Sequence, residues 1–367
     1  MQIKYDRSIV NLPQSILKYF KEPTNQATLS EVDQRLLKGY NHIALVVLDG
    51  LGLNLLNLHQ AETSFLRSKF ETTLSSVFPP TTAAATTALL TGLTPYESGY
   101  LGWFQYFKEA DIHYTIFMNE DYYDPKKAIP KDFYKRYLKR DTIFDRIAKT
   151  RKAKTKQFFP KKVDKQGYDT FDEGLKRMIE FQKNNQKTLS YLYSIEPDAA
   201  QHQYGITSKE VSEALKSLDT SLKAAAEKLP KDTLLLITAD HGLIDIEPIH
   251  LFDYHDITST FEHLPAGEPR ATQFFIKDGM QEYFIGFFNE HFSEYFNLYT
   301  KEEFLSKKLL GEGEKSPLID ECLGDFIAIA KDRFIFKLSD EKSHLAHHAG
   351  MTKGELDVPL FILERKD

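Results

Sequence analysis

The chain has 367 residues, 41% hydrophobic and 27% charged, which suits one large α/β domain or a core domain with a smaller insertion. A formal net charge of −6 argues against a nucleic-acid polymer as partner, because that role needs a basic face. The single cysteine, Cys322, excludes an intramolecular disulfide and a thiolate metal cage, so any bound metal falls to His and carboxylate side chains.

The first twenty residues mix charge, Pro and Asn and lack the apolar centre of a secretion signal. No stretch approaches the roughly 20 apolar residues of a membrane span. A cytoplasmic protein without membrane contact is expected. The first predicted strand is the apolar, β-branched run Ile43 to Leu48, which ends in Asp49, Gly50 and Gly52. A carboxylate there either points into a site, with glycine allowing a sharp turn, or caps the next helix. Ser75 to Gly92 follows, with Pro79 and Pro80 keeping the chain extended before an Ala-, Thr- and Leu-rich helix. Thr82 lies at the start of that helix, where free N–H groups and the dipole favour an anion. A hydroxyl attacking phosphorus gains from that position, although Thr81 or Thr82 can also serve as a plain cap. Phe78, Trp103 and Phe104 flank this segment and either wall a leaving-group pocket or pack in the core.

Further along, Lys149 to Lys165 is a lysine- and arginine-rich run that reads as a solvated face. Leu189 to Ile195 is a second buried strand, followed by Asp198 and His202, one helical turn apart and able to form half of a zinc site or an ion pair. Ser208 to Leu229 carries Val211, Leu215, Leu218, Leu222, Ala225 and Leu229 at helical spacing, with Thr207 and Glu210 placed as a capping box. Thr233 to Thr238 is a third strand and ends in Asp240, His241 and Gly242. Two adjacent ionisable groups closing a buried strand are hard to explain by packing. From 246 to 337 the chain becomes rich in Phe, Tyr and His, with short strands at Gln273 to Ile276, Phe326 to Ala330 and Phe334 to Phe336. This region is predicted to be a smaller α+β insertion or cap. Cys322 falls within it as a small core residue. The catalytic core then comprises 1–245 with 338–367. Near the C-terminus His344, His347 and His348 crowd a loop before a last strand, Val358 to Leu363, predicted to be parallel. Strands alternating with helices imply a mostly parallel sheet with helices on both faces, where ligands gather at the carboxyl ends of strands.

The order of VVLDGLG, FPPTTAAATTALLTG with LTPYESG, SIEPDAAQH, TADHG and HHAGMTKGELDVPL resembles the alkaline phosphatase superfamily, in particular its type I phosphodiesterase and nucleotide pyrophosphatase branch. These stretches span Val46 to Leu360. The resemblance implies an alkaline phosphatase-like fold and Thr82 as nucleophile, counted back from Thr91. It implies one divalent metal on Asp198, His202 and His348, and a second on Asp49, Asp240, His241 and the Thr82 oxygen. It implies zinc at both sites, with manganese used in some branches. At two positions the likeness to eukaryotic nucleotide pyrophosphatases stops. Ala85 stands where they have a phosphate-contacting Asn, and Ser98 lies where they have a His, so nucleotide specificity is not carried over.

The expected reaction is therefore hydrolysis of a small phosphate ester through a phospho-threonine. Two divalent ions against three aspartates leave one surplus positive charge, which suits a singly charged diester. No arginine near the motifs is obviously placed to clamp a dianion, and Arg270, in GEPRAT, is the one candidate. Alternatives within the superfamily are a phosphomonoesterase, a phosphosugar mutase and a sulfatase, the last disfavoured because no C/S-x-P-x-R run matches at residue 82. No GxxxxGK and no strand-linked GxGxxG is present, which removes ATP-driven transfer and Rossmann redox chemistry.

Overall fold

Every residue from His42 to Leu48 is buried, as a strand covered by helices on both faces requires. The computed structural model, which describes residues 3–338 and 344–366, places this strand, β1, in a six-stranded sheet. Its companions are β2 (Phe70–Ser75), β3 (Lys154–Phe158), β4 (Thr188–Ser194), β5 (Thr233–Thr238) and β6 (Asp357–Arg365). The order is β2-β6-β5-β1-β4-β3. Strands β3, β4, β1 and β5 are parallel, which gives the mostly parallel sheet that the sequence predicts.

The last strand departs from expectation, because β6 runs antiparallel to β5 and β2. The cause is its entry point. Leu360 of β6 pairs with Thr238 at the end of β5, and Gly242 N–H donates to Glu355 O at 2.9 Å. The chain thus arrives at the edge where the parallel strands finish and can only run back. The lysine-rich run contains the edge strand β3, whose Lys154 and Lys156 are exposed. Exposed lysines on an edge discourage pairing with another chain.

Helix α1 (Thr82–Thr91) ends at Gly92 with φ +74°. Helices α2 (Asp198–Tyr204) and α3 (Lys209–Ala226) follow β4. The cap of α3 sits one residue later than predicted: Ser208, not Thr207, accepts from Val211 N–H.

A second sheet runs in the order Phe296–Thr300, Phe326–Ala330, Ala271–Ile276, Phe261–Glu268, Phe104–Phe107, Ile112–Thr115, Glu120–Asp121. Its first four strands come from the segment predicted as a cap, but the other three come from the chain just after α1. The 246–337 segment therefore does not form this layer alone. With the helix Gln281–His291 it encloses an aromatic core of Phe274, Phe284, Phe288, Phe292 and Phe336. Cys322 is buried, as expected. Among the described residues no helix is long and apolar enough to cross a membrane.

Candidate active site

In the main sheet Leu48 is level with Ser194, and Val47 with Thr238, so β1, β4 and β5 finish at one edge. The segments leaving these strands are tied by their backbones. Asp49 N–H donates to Ser194 O at 3.0 Å and Asp198 N–H to Asp49 O at 2.9 Å. Gly50 N–H donates to Asp240 Oδ1 at 3.1 Å. Gly50 has φ +74°, and a Cβ there would lie 2.9 Å from the Asp198 Cα, so the turn requires glycine on both counts.

These ties assemble two groups of metal-ligating atoms, each within 4.8 Å of one another: Asp49, Asp240 and His241, and Asp198, His202 and His348. His241 Nε2 lies 3.4 Å from Asp49 Oδ1, 3.6 Å from Asp240 Oδ2 and 3.2 Å from Thr82 Oγ1. His202 Nδ1 donates to Ala346 O at 2.8 Å, which orients the ring and leaves Nε2, 3.4 Å from Asp198 Oδ1, free to ligate. The His348 ring is 4.0 Å from that of His241 and 5.2 Å from that of His202, so the two groups adjoin. Asp49 Oδ1, Asp198 Oδ1 and Asp240 Oδ2 are buried without a hydrogen-bond partner. Orphaned carboxylate oxygens are costly unless a cation meets them, and each of these three belongs to one of the two groups. The donor set therefore fits two divalent ions. A third cluster, His202, His344 and His347, shares His202 with the second group and competes for that imidazole without adding a centre.

Burial, with Asp240 and Asp198 nearby, pushes Asp49 well above the usual carboxylate range, while a hydrogen bond from the Tyr193 hydroxyl opposes the shift. Burial also disfavours ionised Asp198, but His202, His241 and His344 outweigh it and lower its pKa. For His202 the order is the same: burial opposes the charge, and Asp198 raises the pKa regardless. Burial and the crowding of His241 and His347 hold His348 well below the usual imidazole value, in the neutral form that ligates metals.

Thr82 opens α1 one residue after Thr81, whose side chain makes no capping bond, so the first-turn N–H groups stay available to an anion. The structure thus brings Thr82 and all six predicted ligands together. The residues suggested as substrate contacts fare differently. Phe78 is buried in the core, its ring 5.9 Å from Phe304, the packing role that the sequence left open beside a pocket wall. Arg270 is fully buried and paired with Glu355 at 2.7 and 3.1 Å, so its guanidinium cannot clamp a substrate. Trp103 is half-buried and stacks edge-on with the exposed Phe117 at 5.7 Å. Two residues were missed. Tyr193 is the next-to-last residue of β4 and donates to Asp49, where a tyrosine in a buried strand was the only clue. Glu268 lies buried beside Thr81 at the end of the strand Phe261–Glu268, and its clue was a carboxylate in the short GEPRAT turn before a buried strand.

Residues 43–354 match the family model for type I phosphodiesterase / nucleotide pyrophosphatase. No curated protein matches the chain significantly by sequence. Among solved structures, murine ectonucleotide pyrophosphatase / phosphodiesterase 5 (ENPP5) is similar with a TM-score of 0.68 at 16% identity, over 87% of both chains. An inactive threonine-to-alanine variant of that murine protein, in complex with AMP, is similar to the same degree. Human ENPP5 gives a TM-score of 0.63 at 16% identity, covering 88% of this chain and 89% of that one. At such identity these structures show the shared fold, while the family match spans most of the sequence. The chain belongs to the type I phosphodiesterase / nucleotide pyrophosphatase family and is a phosphoric ester hydrolase.

Proposed function

We propose that the chain cleaves a phosphodiester or nucleotide pyrophosphate bond of a small molecule in two displacements at Thr82. The observation that carries this reading is the position of Thr82 Oγ1. It stands at the N-terminus of α1, 3.2 Å from His241 Nε2 of the Asp49 group, which the His348 ring joins to the Asp198 group. Asp49, Asp240, His241 and Thr82 would hold one divalent cation, and Asp198, His202 and His348 the other. When bound, the two cations lower the pKa of the threonine hydroxyl and offset charge on the phosphoryl group and leaving oxygen. Mixed imidazole and carboxylate donors suit zinc, and manganese is the alternative.

The N–H groups of α1 receive the phosphoryl oxygens and align phosphorus with Thr82 Oγ1. Attack forms the Oγ1–phosphorus bond and breaks the bond to the leaving alcohol or phosphate. Water then cleaves the phospho-threonine and restores the hydroxyl. Tyr193 donates to Asp49 and fixes its orientation throughout. The AMP held by the inactive murine variant supports a threonine-centred site of nucleotide size. Ala85 and Ser98 supply none of the side-chain contacts expected at their positions, which leaves the nucleoside half unspecified.

Thr82→Ala should retain both metals by elemental analysis and lose at least about a thousandfold in turnover of bis(p-nitrophenyl) phosphate. Full activity in that variant would reject the nucleophile. Release of an isomerised phosphosugar in place of phosphate or alcohol would point to the mutase alternative.

A further inference from the structure

Glu268 closes the strand Phe261–Glu268 and is only 1% exposed, yet none of the roles above uses it. Its delivery is tightly built. Gly267 has φ +91°, and a Cβ on Gly102 would lie 2.6 Å from the Gly267 carbonyl, so two glycines let the strand end reach the loop before Trp103. Glu268 Oε1 accepts from Trp103 N–H at 2.6 Å. The Thr81 hydroxyl lies beside the carboxyl, and His202 is close enough for their charges to interact. Among the described residues no lysine or arginine forms an ion pair with it. Burial pushes its pKa up to about 7, against the pull of Thr81 and the Trp103 amide.

The carboxyl therefore lies beside Thr81, the residue preceding the nucleophile, and within charge interaction of His202, a ligand of the second metal group. We propose that Glu268 is a specificity-determining residue that selects singly charged phosphodiesters over doubly charged phosphomonoesters. This assignment rests on Thr82 being the nucleophile. Arg270, two residues along, is engaged by Glu355 and supplies no compensating charge. An added negative charge on the substrate is then repelled by the Glu268 carboxylate. At an effective dielectric near 20, a like charge several ångströms away changes affinity by about tenfold or more. A carboxamide at the same position keeps an oxygen for the Trp103 N–H and removes only the charge.

The test compares kcat/KM for bis(p-nitrophenyl) phosphate and p-nitrophenyl phosphate at about pH 8.5, using metal-loaded full-length protein. The wild type should favour the diester. Glu268→Gln should shift the ratio at least about tenfold towards the monoester, with Tm and metal content unchanged. Glu268→Asp, which keeps the charge, should retain the diester preference. If the Gln variant does not fold, Glu268→Ala is read in the same way. An unchanged ratio, or an equal fall for both esters, overturns the assignment even while Thr82→Ala stays inactive. If Thr82→Ala proves fully active, the nucleophile and this assignment fall together.

Discussion

A guanidinium shut away from water needs a carboxylate, and Arg270 finds Glu355 through Nε and Nη2, with Asp332 O accepting from Nη2 at 2.7 Å. Glu355 also accepts from Gly350 N–H at 2.6 Å and from Thr352 N–H at 3.0 Å. One buried ion pair thus braces the loop that carries His348. Arg270→Met leaves the Glu355 charge without its partner and should cost about 3–5 kcal/mol in urea denaturation. It should also weaken metal retention at the His348 group. The double variant Arg270→Met/Glu355→Leu should recover much of the stability, and equal stability of wild type and Arg270→Met would show that the pair is not what braces the loop. GEPRAT drew attention to its arginine, but the partner lies 85 residues away among 53 acidic residues, and no local pattern connects them. Thr82, Asp49, Asp198, Asp240 and His241 were legible for the opposite reason, since each follows a long apolar strand within a few residues or opens a helix, whereas His348 was singled out from its loop only by the family resemblance.

Elements were legible where burial leaves a continuous pattern. The strands β1, β4 and β5 are buried along their whole length, and α3 repeats its apolar residues at helical spacing. The strands β2 and β3 are half-exposed edges with mixed composition and leave no such run. The direction of β6 depends on where the preceding loop docks, which is a tertiary property. The second sheet joins strands from both sides of β3–β5; Ala271–Ile276 and Phe326–Ala330 were marked by their apolar runs, but Phe104–Phe107, Ile112–Thr115 and Glu120–Asp121 have at most four residues, too short for periodicity to mark. What holds the site's elements together is close backbone contact. A Cβ on Gly242 would lie 2.1 Å from Gly354 O and 2.8 Å from Gly52 Cα, so three motif loops touch at that point. Gly242→Ala should force them apart, costing about 1–3 kcal/mol and weakening zinc binding in a calorimetric titration. Gly286, in the helix Gln281–His291, would meet nothing within 4 Å. Gly286→Ala should instead stabilise by about 0.4–1 kcal/mol, and a loss there equal to that of Gly242→Ala would mean that crowding at the motif loops is not the cause.

At the scale of the whole molecule, the main sheet ends in charge and the second sheet is closed by aromatic packing. The Asp49 group takes its ligands from behind β1 and β5, and the Asp198 group from behind β4 and from the loop before β6. Each bound cation would therefore staple segments that the fold otherwise joins through a few backbone hydrogen bonds, and would meet carboxylate oxygens that have no other partner. A ligand that binds only the folded state stabilises it by mass action, by about 4 kcal/mol at a thousandfold excess over its dissociation constant. For a chain of this length that corresponds to roughly 5 °C in Tm. Chelator should lower the Tm by about this amount, and zinc should restore it. Because the staples act at one edge, the loosening should be local. Hydrogen exchange should rise at 49–52, 198–202, 240–242 and 346–354, while the aromatic segment 284–296 keeps its protection. Uniform loosening of both sheets would mean that the cations support the global fold, and an unchanged Tm would mean that these oxygens meet no cation at all.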